Sequence, residues 1–336
     1  MSDNLFRKLI GLLLGASVLV PLILLMFIGP ASRGAPHDLP IGVAGPVPAV
    51  AQVFAALAQR QPGTVEVHRY ADVRELEQAT RDRKVYGGIA LGPQPTTVIA
   101  SGAGPAPAQL ITQLGAQVGA AQAPSAPPIA PKVVDVAPLA ADDSRGAGFG
   151  AMVMPVFMAG AILGVAIPQL TRRAKLTAAL VPVGAALVAA TSVGAAMAIG
   201  VLPGGFWAQW LAMAAGILAI GATVAGLVTL IGAGGVGVAA LLFMLIGMPL
   251  AGIGAPPEFL PGIWGTVGQW LPLGATGTAL RSAAYFADDR LVGAGAGHAF
   301  GVLAMWIVIG FVLIGLGILR RRHVVAEVVR AEGVAT

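Results

Sequence analysis

Hydrophobic residues form long unbroken runs in the second half of the chain, and charged residues fall in the gaps between them. A hydrocarbon core about 30 Å thick needs roughly 20 apolar residues in a helix to cross it. The runs of about this length are Phe149–Leu170, Leu176–Gly200, Ala208–Ile231, Val236–Ile253 and His298–Leu319. They lack the period-2 alternation of barrel strands, so we predict five membrane-spanning helices between residues 149 and 319.

A further apolar run, Leu9–Gly29, follows Arg7 and Lys8 near the beginning of the chain. A cleaved signal peptide is the alternative interpretation, because Gly29-Pro30-Ala31 offers small residues for cleavage. The apolar part of a signal peptide is usually about 7–15 residues long, whereas this run is long enough to span a bilayer. We therefore favour an uncleaved anchor, with residues 1–30 forming a short N-terminal tail and the first transmembrane helix.

Residues 31–148 differ in kind, because charged residues are frequent there and the pattern changes to short strands and amphipathic helices. The predicted strands are Leu39–Ala44, Thr64–Tyr70, Val85–Leu91, Thr96–Ala100 and Val133–Val136, and the predicted helices are Val47–Arg60, Val73–Lys84 and Ala106–Ala121. Asp72 followed by Glu75 predicts a capping box at the start of the second helix. The Pro/Ala stretch Ala123–Pro131 predicts a semi-rigid connector. Strands that alternate with helices indicate a small α/β domain with some parallel pairing.

Three basic clusters determine the predicted orientation, since lysine and arginine mark cytoplasmic loops. They are Arg7-Lys8, Thr171–Lys175 and Arg320-Arg321-Arg322, and six spans place all three on one side. We therefore predict an α-helical integral protein of the plasma (inner) membrane with six transmembrane helices and both termini in the cytoplasm. The α/β domain, residues 31–148, is then extracytoplasmic and inserted between helices 1 and 2. Residues 320–336 form a cytoplasmic tail.

The outer segment 254–297 has an unusual pattern, too apolar for free water and too often broken by Gly and Pro to span a membrane. Trp264 and Trp270 suit the headgroup level of a bilayer, where an apolar ring with one N–H donor is well accommodated. We predict a re-entrant or interfacial hairpin here. A structured outer loop lying on the membrane is the alternative.

Composition agrees with a membrane protein, with 57% hydrophobic residues, 10% charged residues and a mean hydropathy of +0.84. A soluble domain usually carries about 25% charged residues. The net charge of +5 is concentrated at helix ends, so membrane orientation explains it better than nucleic-acid binding does. The chain has no cysteine, which excludes disulfides and thiolate metal sites. The four histidines are scattered, and we predict no metal or cofactor site.

Chemistry is sparse inside the predicted membrane helices. None of the six spans contains Asp, Glu, Lys or Arg, and His298 lies at the outer end of the last. Because proton- and ion-coupled transporters generally need an ionisable group inside the membrane, a secondary transporter is disfavoured.

Nucleotide motifs are also missing from this sequence. Gly232, Gly234 and Gly237 match G-x-G-x-x-G, but they lie between two apolar runs with no acidic residue before Glu258, so we interpret them as a tight turn. No G-x-x-x-x-G-K-[ST] motif occurs, and we expect this chain itself not to be an enzyme that hydrolyses ATP.

One anchor, an outer α/β domain and five further spans with an apolar hairpin before the last make an arrangement that resembles the ABC-2 family of exporter permeases. The branch that includes the YhgE/Pip (phage infection protein) group looks most similar. The matching local stretches are Val85–Leu91 (VYGGIAL) and Leu271–Arg281 (LPLGATGTALR). The resemblance implies a half-size permease that moves a hydrophobic or amphipathic substrate and forms a homodimer or a heterodimer with a second permease. It also implies a separate cytoplasmic ABC ATPase as partner, in addition to membrane lipid. The competing hypothesis is a non-transporting surface protein that binds a ligand through its outer domain.

The resemblance implies that the ATPase docks on the N-terminal tail and on the loop between the second and third spans, which here is short and contains no acidic residue. The predicted docking residues are Arg172, Arg173 and Lys175. The residues that we assign to the outer hairpin are Trp264, Trp270, Pro272 and Arg281.

Small residues four apart predict close helix packing, because apolar burial cannot drive association in lipid. The candidate pairs are Gly11 with Gly15 in the first span and Gly160 with Gly164 in the second. For the first pair, the alternative is that glycine is simply common in this chain, which contains 47 glycines.

Overall fold

The computed structural model describes residues 3–32, 34–60, 62–92, 94–122, 131–254, 256–287 and 292–334. Six helical stretches in it are long and apolar enough to cross a membrane. They are Leu9–Gly29, Ala147–Thr171, Ala174–Ala198, Phe206–Ile231, Ala233–Leu250 and Gly297–Arg320. The chain is therefore a multi-pass helical membrane protein, as the hydrophobic pattern predicts. The predicted connector Ala123–Pro131 lies outside the described residues except for its last proline.

The helices follow one another along the chain as α1 (Asp3–Ser32), α2 (Val47–Arg60), α3 (Val73–Arg81), α4 (Pro105–Gln122), α5 (Ala147–Ala151), α6 (Val153–Thr171), α7 (Ala174–Ala198), α8 (Phe206–Ile231), α9 (Ala233–Ala239), α10 (Met248–Leu250), α11 (Trp264–Gln269), α12 (Pro272–Tyr285) and α13 (Gly297–Val334). The strands are β1 (Leu39–Ala44), β2 (Val65–Tyr70), β3 (Gly87–Ala90), β4 (Thr96–Ile99) and β5 (Lys132–Asp135). The first predicted strand and the first predicted helix of the α/β region have the observed bounds, and each of the other bounds there lies within three residues of the observed one.

Several boundaries in the membrane helices differ from the prediction for physical reasons. Helix α13 does not end at Leu319 but continues to Val334, because residues 320–332 contain neither glycine nor proline. Much of the segment predicted as a tail is therefore helical. Hydropathy marks where apolar side chains stop, which is not where backbone hydrogen bonds stop.

The fifth span begins at Ala233 and ends at Leu250, about three residues before the predicted bounds. Gly232, with φ of 65°, turns the chain so sharply that α9 can begin at once, and Gly252, with φ of 64°, follows the end of α10. Between α9 and α10 the residues Ala240–Gly247 form a π-helix. Such wider turns are rare and are frequently found at functional sites.

Helix α8 is the centre of the bundle and is the most buried of the six spans, with 67% of its apolar window inside the protein. Helices α6, α7, α12 and α13 pack around it. A Cβ atom at Gly160 would lie 2.7 Å from Cβ of Ile220, and one at Gly164 would lie 2.5 Å from Cβ of Val224. The absence of side chains at these glycines lets α6 and α8 touch along their backbones, which is the contact that stabilises helix pairs in lipid.

The register of these contacts shows which helix ends lie together. Gly160 meets Ile220 and Gly164 meets Val224, so α6 and α8 run parallel. Helix α13 runs in the same direction, since Nη1 of Arg320 donates to the carbonyl oxygen of Leu230, 2.8 Å away, in the last turn of α8. The carboxyl ends of α6, α8 and α13 are therefore at one end of the bundle, where a cation is also favoured by the helix dipole.

The five strands form one sheet in the order β2-β1-β3-β4-β5. β1 pairs in parallel with β2 and β3, β4 pairs in parallel with β5, and only β3 and β4 are antiparallel. Val50 of α2 and Ile111 of α4 pack on one face of β1, and Leu76 of α3 packs on the other. The sheet with α2–α4 is called the sheet domain here (residues 34–146). It has the mixed α/β organisation that alternating strands and helices predict.

The start of α3 has the capping geometry predicted from its sequence. The backbone N–H of Glu75 donates to Oδ1 of Asp72 at 2.9 Å, and Oε2 of Glu75 accepts from the backbone N–H of Ala71 at 2.7 Å. Two of the N–H groups that a helix start leaves without partners are thereby satisfied.

Candidate functional site

The segment before α13 folds back into the bundle as a hairpin of α11 and α12 (residues 256–287, called the hairpin here). Twelve of the fourteen residues of α12 are buried. Thr276, near its start, lies against Gly216 in the middle of α8. Near its end, the carbonyl oxygen of Ala284 is 3.0 Å from the position of a Cβ at Gly204, just before α8 begins. Helix α12 therefore starts at mid-bundle and rises antiparallel to α8, over roughly 21 Å for its fourteen residues at 1.5 Å per residue.

Tryptophans hold the lower end of the hairpin. Nε1 of Trp306 donates to the carbonyl oxygen of Trp270 at 2.8 Å. The Trp306 ring also meets Phe243 of the π-helix edge to face, with 5.6 Å between ring centroids. The Trp270 ring itself is about half exposed and stands edge to face with His298 at 5.0 Å. Because Trp306 is more than two turns into α13, these contacts place Trp270 below the end of the bundle on which the sheet domain sits.

The sheet domain sits on the hairpin through a polar junction whose main cation is Arg83. Nη1 of Arg83 donates to Oγ of Ser282 at 2.5 Å and to the carbonyl oxygen of Thr278 at 3.4 Å. The guanidinium carbon also lies 5.3 Å from the centre of the Phe286 ring, within range of a cation–π contact. Arg83 has φ of 57°, and the preceding α3 ends with Asp82 as its cap. This left-handed residue aims its side chain away from the helix and at α12.

A second junction contact joins strand β3 to the first turn of the hairpin. The hydroxyl of Tyr86 donates to Oε2 of Glu258 at 2.7 Å, and the backbone N–H of His37 donates to the carbonyl oxygen of Glu258 at 2.8 Å. Burial raises the pKa of Tyr86 above its usual 10.0, and the neighbouring Glu258 carboxylate raises it further, whereas Arg83 lowers it. The tyrosine is therefore held as a neutral donor to a carboxylate, which is a strong type of hydrogen bond.

Arg281 is the buried cation of the hairpin, with 6% of its surface exposed. Nη2 of Arg281 donates to the carbonyl oxygen of Ile253 at 2.7 Å. Its guanidinium carbon lies 4.8 Å from the centre of the Phe149 ring in α5. A buried cation is costly unless it is hydrogen-bonded, so these contacts fix α5, α12 and the end of the fifth span relative to one another.

An apolar contact completes the junction beside the charges. A Cβ at Gly102 would lie 2.5 Å from Cγ of Tyr285, so the tyrosine ring rests directly on the backbone of the sheet domain. Around it, a cluster of small side chains packs against Phe286; its other buried members are Ala100, Ala103, Ala137 and Ala294. The hydroxyl of Tyr285 is buried without a hydrogen-bond partner among the described residues. Burial and the nearby Asp143 charge raise its pKa to about 12.

The structure brings the two stretches that carry the family resemblance together at this junction. Tyr86 belongs to the first stretch and Arg281 to the second, and Glu258 is bonded to Tyr86. The sequence analysis did not single out Arg83 or Glu258 as site residues. Arg83 lies in a charged segment that is typical of a solvated helix end. The signal that was available is Glu258 itself, the only acidic residue in the sequence between Asp143 and Asp288.

The other candidate residues lie elsewhere. Arg172, Arg173 and Lys175 are exposed between α6 and α7, at the end of the bundle opposite the sheet domain. Trp264 is exposed at the start of α11, and Pro272 is the buried first residue of α12. Gly160 and Gly164 pack on α8 as described above. A methyl group added at Gly11 or Gly15 would meet no described residue outside its own helix within 4 Å, so a packing role for that pair stays a prediction.

No group of three or more His, Asp or Glu side chains among the described residues is arranged to hold a metal ion. The polar junction instead consists of hydrogen bonds and cation–π contacts, which position elements and do no covalent chemistry. No protein-family model, curated protein or solved structure matches the chain.

Proposed function

We propose that this chain is the permease subunit of an ABC-2 type exporter that moves a hydrophobic or amphipathic substrate and is powered by a separate ATPase. The observation that carries the proposal is the hairpin, which starts at mid-bundle against α8 and ends in the junction with the sheet domain. Six apolar spans without an acidic side chain or an interior lysine or arginine also support it, because the sequence of such spans supplies no charged group to bind a coupling ion.

In this proposal, α8 transmits movement between the two ends of the bundle. Its inner end is bonded to Arg320, close to the carboxyl end of α6 and the basic residues that follow. Its outer half contacts α12, which the sheet domain holds through Arg83. A displacement of α6 and α8 by an ATPase would therefore shift the hairpin and the sheet domain together. Interfaces of this kind repack between discrete arrangements and do not bend continuously.

The test is purification from the native host in mild detergent, followed by identification of co-purifying ATPase and measurement of its activity. We expect an ABC ATPase to co-purify with the wild-type chain. The double charge reversal Arg172→Glu, Arg173→Glu is expected to reduce its recovery strongly, since both side chains are exposed. Arg74→Glu, an equally exposed change on α3 of the sheet domain, is the matched control and is expected to leave recovery unchanged.

Failure to recover any ATPase with the wild-type chain would count against the exporter and favour the surface-protein hypothesis. A second experiment separates the two directly. Deleting residues 40–131 removes helices α2–α4 and every strand of the sheet domain except β5 and the first residue of β1, and it should abolish every activity of a surface receptor. A permease is expected to retain part of its transport or its stimulation of the ATPase.

A further inference from the structure

An open cavity of about 450 Å³ lies in the sheet domain, at the carboxyl ends of its parallel strands. It is lined by residues at the ends of the three mutually parallel strands: Ala44 and Gly45 at the end of β1, Ala71 and Asp72 after β2, and Leu91 and Gly92 after β3. Ligand pockets in proteins usually measure about 300–1,000 Å³. The cavity is thus large enough for a small molecule, and it belongs to neither the polar junction nor the membrane helices.

The topology of the sheet explains why the cavity is there. After β1 the chain leaves through α2 toward β2 on one side, whereas after β3 it turns toward β4 on the other side. The two connections part above adjacent strands and leave a crevice between them. In open α/β sheets, ligands bind in the crevice at the carboxyl ends of the strands where the strand order reverses in this way.

The polar groups around the cavity indicate the chemistry of the ligand. Asp72 is the only ionised side chain that lines it; Oδ1 caps α3, and Oδ2 accepts no hydrogen bond from the residues that the structure describes. This acceptor disfavours an anion. Val73, whose N–H is the first of α3 and has no acceptor within that helix, also lines the cavity and disfavours a cation. Gln94 and Thr96 add side chains that both donate and accept.

Small apolar walls complete the lining, with Ala44, Pro46, Ala90 and Leu91 presenting no bulky or charged group. A ligand that satisfies a carboxylate acceptor and backbone donors at once, against a smooth apolar wall, needs hydroxyl groups and no net charge. We propose that the sheet domain binds a neutral, hydroxyl-rich ligand of about monosaccharide size in this cavity. The proposal rests on the cavity at the strand-order reversal and does not depend on transport or on an ATPase.

The test uses the full chain in lipid nanodiscs and ligand-observed saturation-transfer NMR. The probes are glucose and N-acetylglucosamine as neutral hydroxyl-rich molecules, inorganic phosphate as an anion (followed by its phosphorus signal) and ethanolamine as a cation. We expect at least one sugar to bind and the phosphate and ethanolamine not to bind. Binding of neither sugar, or tighter binding of either charged probe, would overturn the proposal.

Two variants locate the binding in the cavity. Gly92 is exposed and a Cβ there meets nothing within 4 Å, so Gly92→Phe narrows the cavity without a clash in the domain. Asp72→Asn removes the charge and retains a residue that caps helices well. Each is expected to weaken sugar binding at least about tenfold. The controls are Gly254→Phe, at an exposed glycine that is also free of contacts, and Glu66→Gln, at an exposed carboxylate on β2. Sugar affinity that is equal in Gly92→Phe and the wild type would show that binding occurs elsewhere.

Discussion

Arg83 donates to the side-chain oxygen of Ser282 at 2.5 Å, although the two residues are 199 positions apart in the chain. The contact joins the end of α3 in the sheet domain to the buried helix α12. Together with the bond between Tyr86 and Glu258, it makes the sheet domain and the hairpin one mechanical unit.

Replacing Arg83 by alanine is expected to destabilise the protein by about 2–3 kcal/mol, because Ser282 and the carbonyl of Thr278 lose a charged donor while remaining partly buried. Arg83→Lys keeps the charge but loses the planar fork and the contact with Phe286, so an intermediate loss is expected. The measurement is the thermal unfolding midpoint in detergent. Arg74→Ala, on the exposed face of α3, is the control. If Arg83→Ala and the wild type unfold at the same temperature, the bonds of Arg83 contribute nothing to stability.

The alkaline titration of tyrosine is expected to differ between the folded and the unfolded chain. The chain has three tyrosines, Tyr70, Tyr86 and Tyr285, and burial raises the pKa of each above the usual 10.0, for Tyr285 to about 12. Between pH 10 and pH 12 the tyrosines of the folded chain therefore keep protons that the tyrosines of the unfolded chain release. The stability that the neutral tyrosines provide is therefore complete below pH 10 and declines as the pH rises above it.

Near-ultraviolet absorbance of tyrosinate against pH, recorded for native protein and for protein in guanidinium chloride, measures this difference. The native curve is expected to lie at higher pH than the denatured curve. Tyr86→Phe should remove one native titration without changing those of the other two tyrosines. Superimposable native and denatured curves would contradict the buried positions of these side chains.

Substitution at the glycine contact between α6 and α8 is expected to be costly. A valine at Gly164 would collide with Val224 and with the carbonyl oxygen of Gly221, at 2.5 and 2.7 Å from the added Cβ. Overpacking of this kind costs typically about 1–3 kcal/mol. Gly15→Val places the same side chain on α1, where nothing lies within 4 Å, and is expected to have little effect. Equal unfolding midpoints for the two variants would show that the α6–α8 contact is not close.

The orientation of the chain is open to a direct measurement because the natural sequence contains no cysteine. Glu66 in the sheet domain and Arg172 at the end of α6 are exposed and lie at opposite ends of the molecule, so each can be replaced by a single cysteine. We expect a membrane-impermeant maleimide to label the cysteine at position 66 in intact cells and the cysteine at position 172 only after permeabilisation. The reverse pattern would place the sheet domain in the cytoplasm and rule out the proposed arrangement.

Features that depend on neighbouring residues were predictable from the sequence. The capping box of Asp72 and Glu75 is local, and so are the alternating sequence of β2 and the length of α8. Two tryptophans and frequent glycine and proline in residues 254–297 suit neither a span nor a free loop, and they are the basis of the predicted hairpin. The depth at which α12 begins was not predictable, since it depends on where Thr276 meets Gly216 across some sixty residues of chain.

Non-local features escaped the prediction for the same reason. Nothing in the vicinity of Arg83 marks it as the cation that bonds α12, because its partners are contributed by another part of the fold. The π-helix Ala240–Gly247 consists of residues that suit an α-helix equally well, and it forms where the fifth span packs against Trp306 and the hairpin. Sequence patterns predict structure that depends on neighbouring residues. The bonds of Arg83 and the π-helix depend instead on contacts with distant parts of the chain.

Helix α13 is 38 residues long and continuous, which corresponds to roughly 57 Å at 1.5 Å per residue. Along it, Trp306 lies beside the hairpin and Arg320 at the end of α8, and the helix continues to Val334. Tilting a straight helix of this length by about 10° around its centre would carry each end through about 5 Å. A displacement at one end of α13 would therefore reach the other end, since the backbone between them is helical throughout.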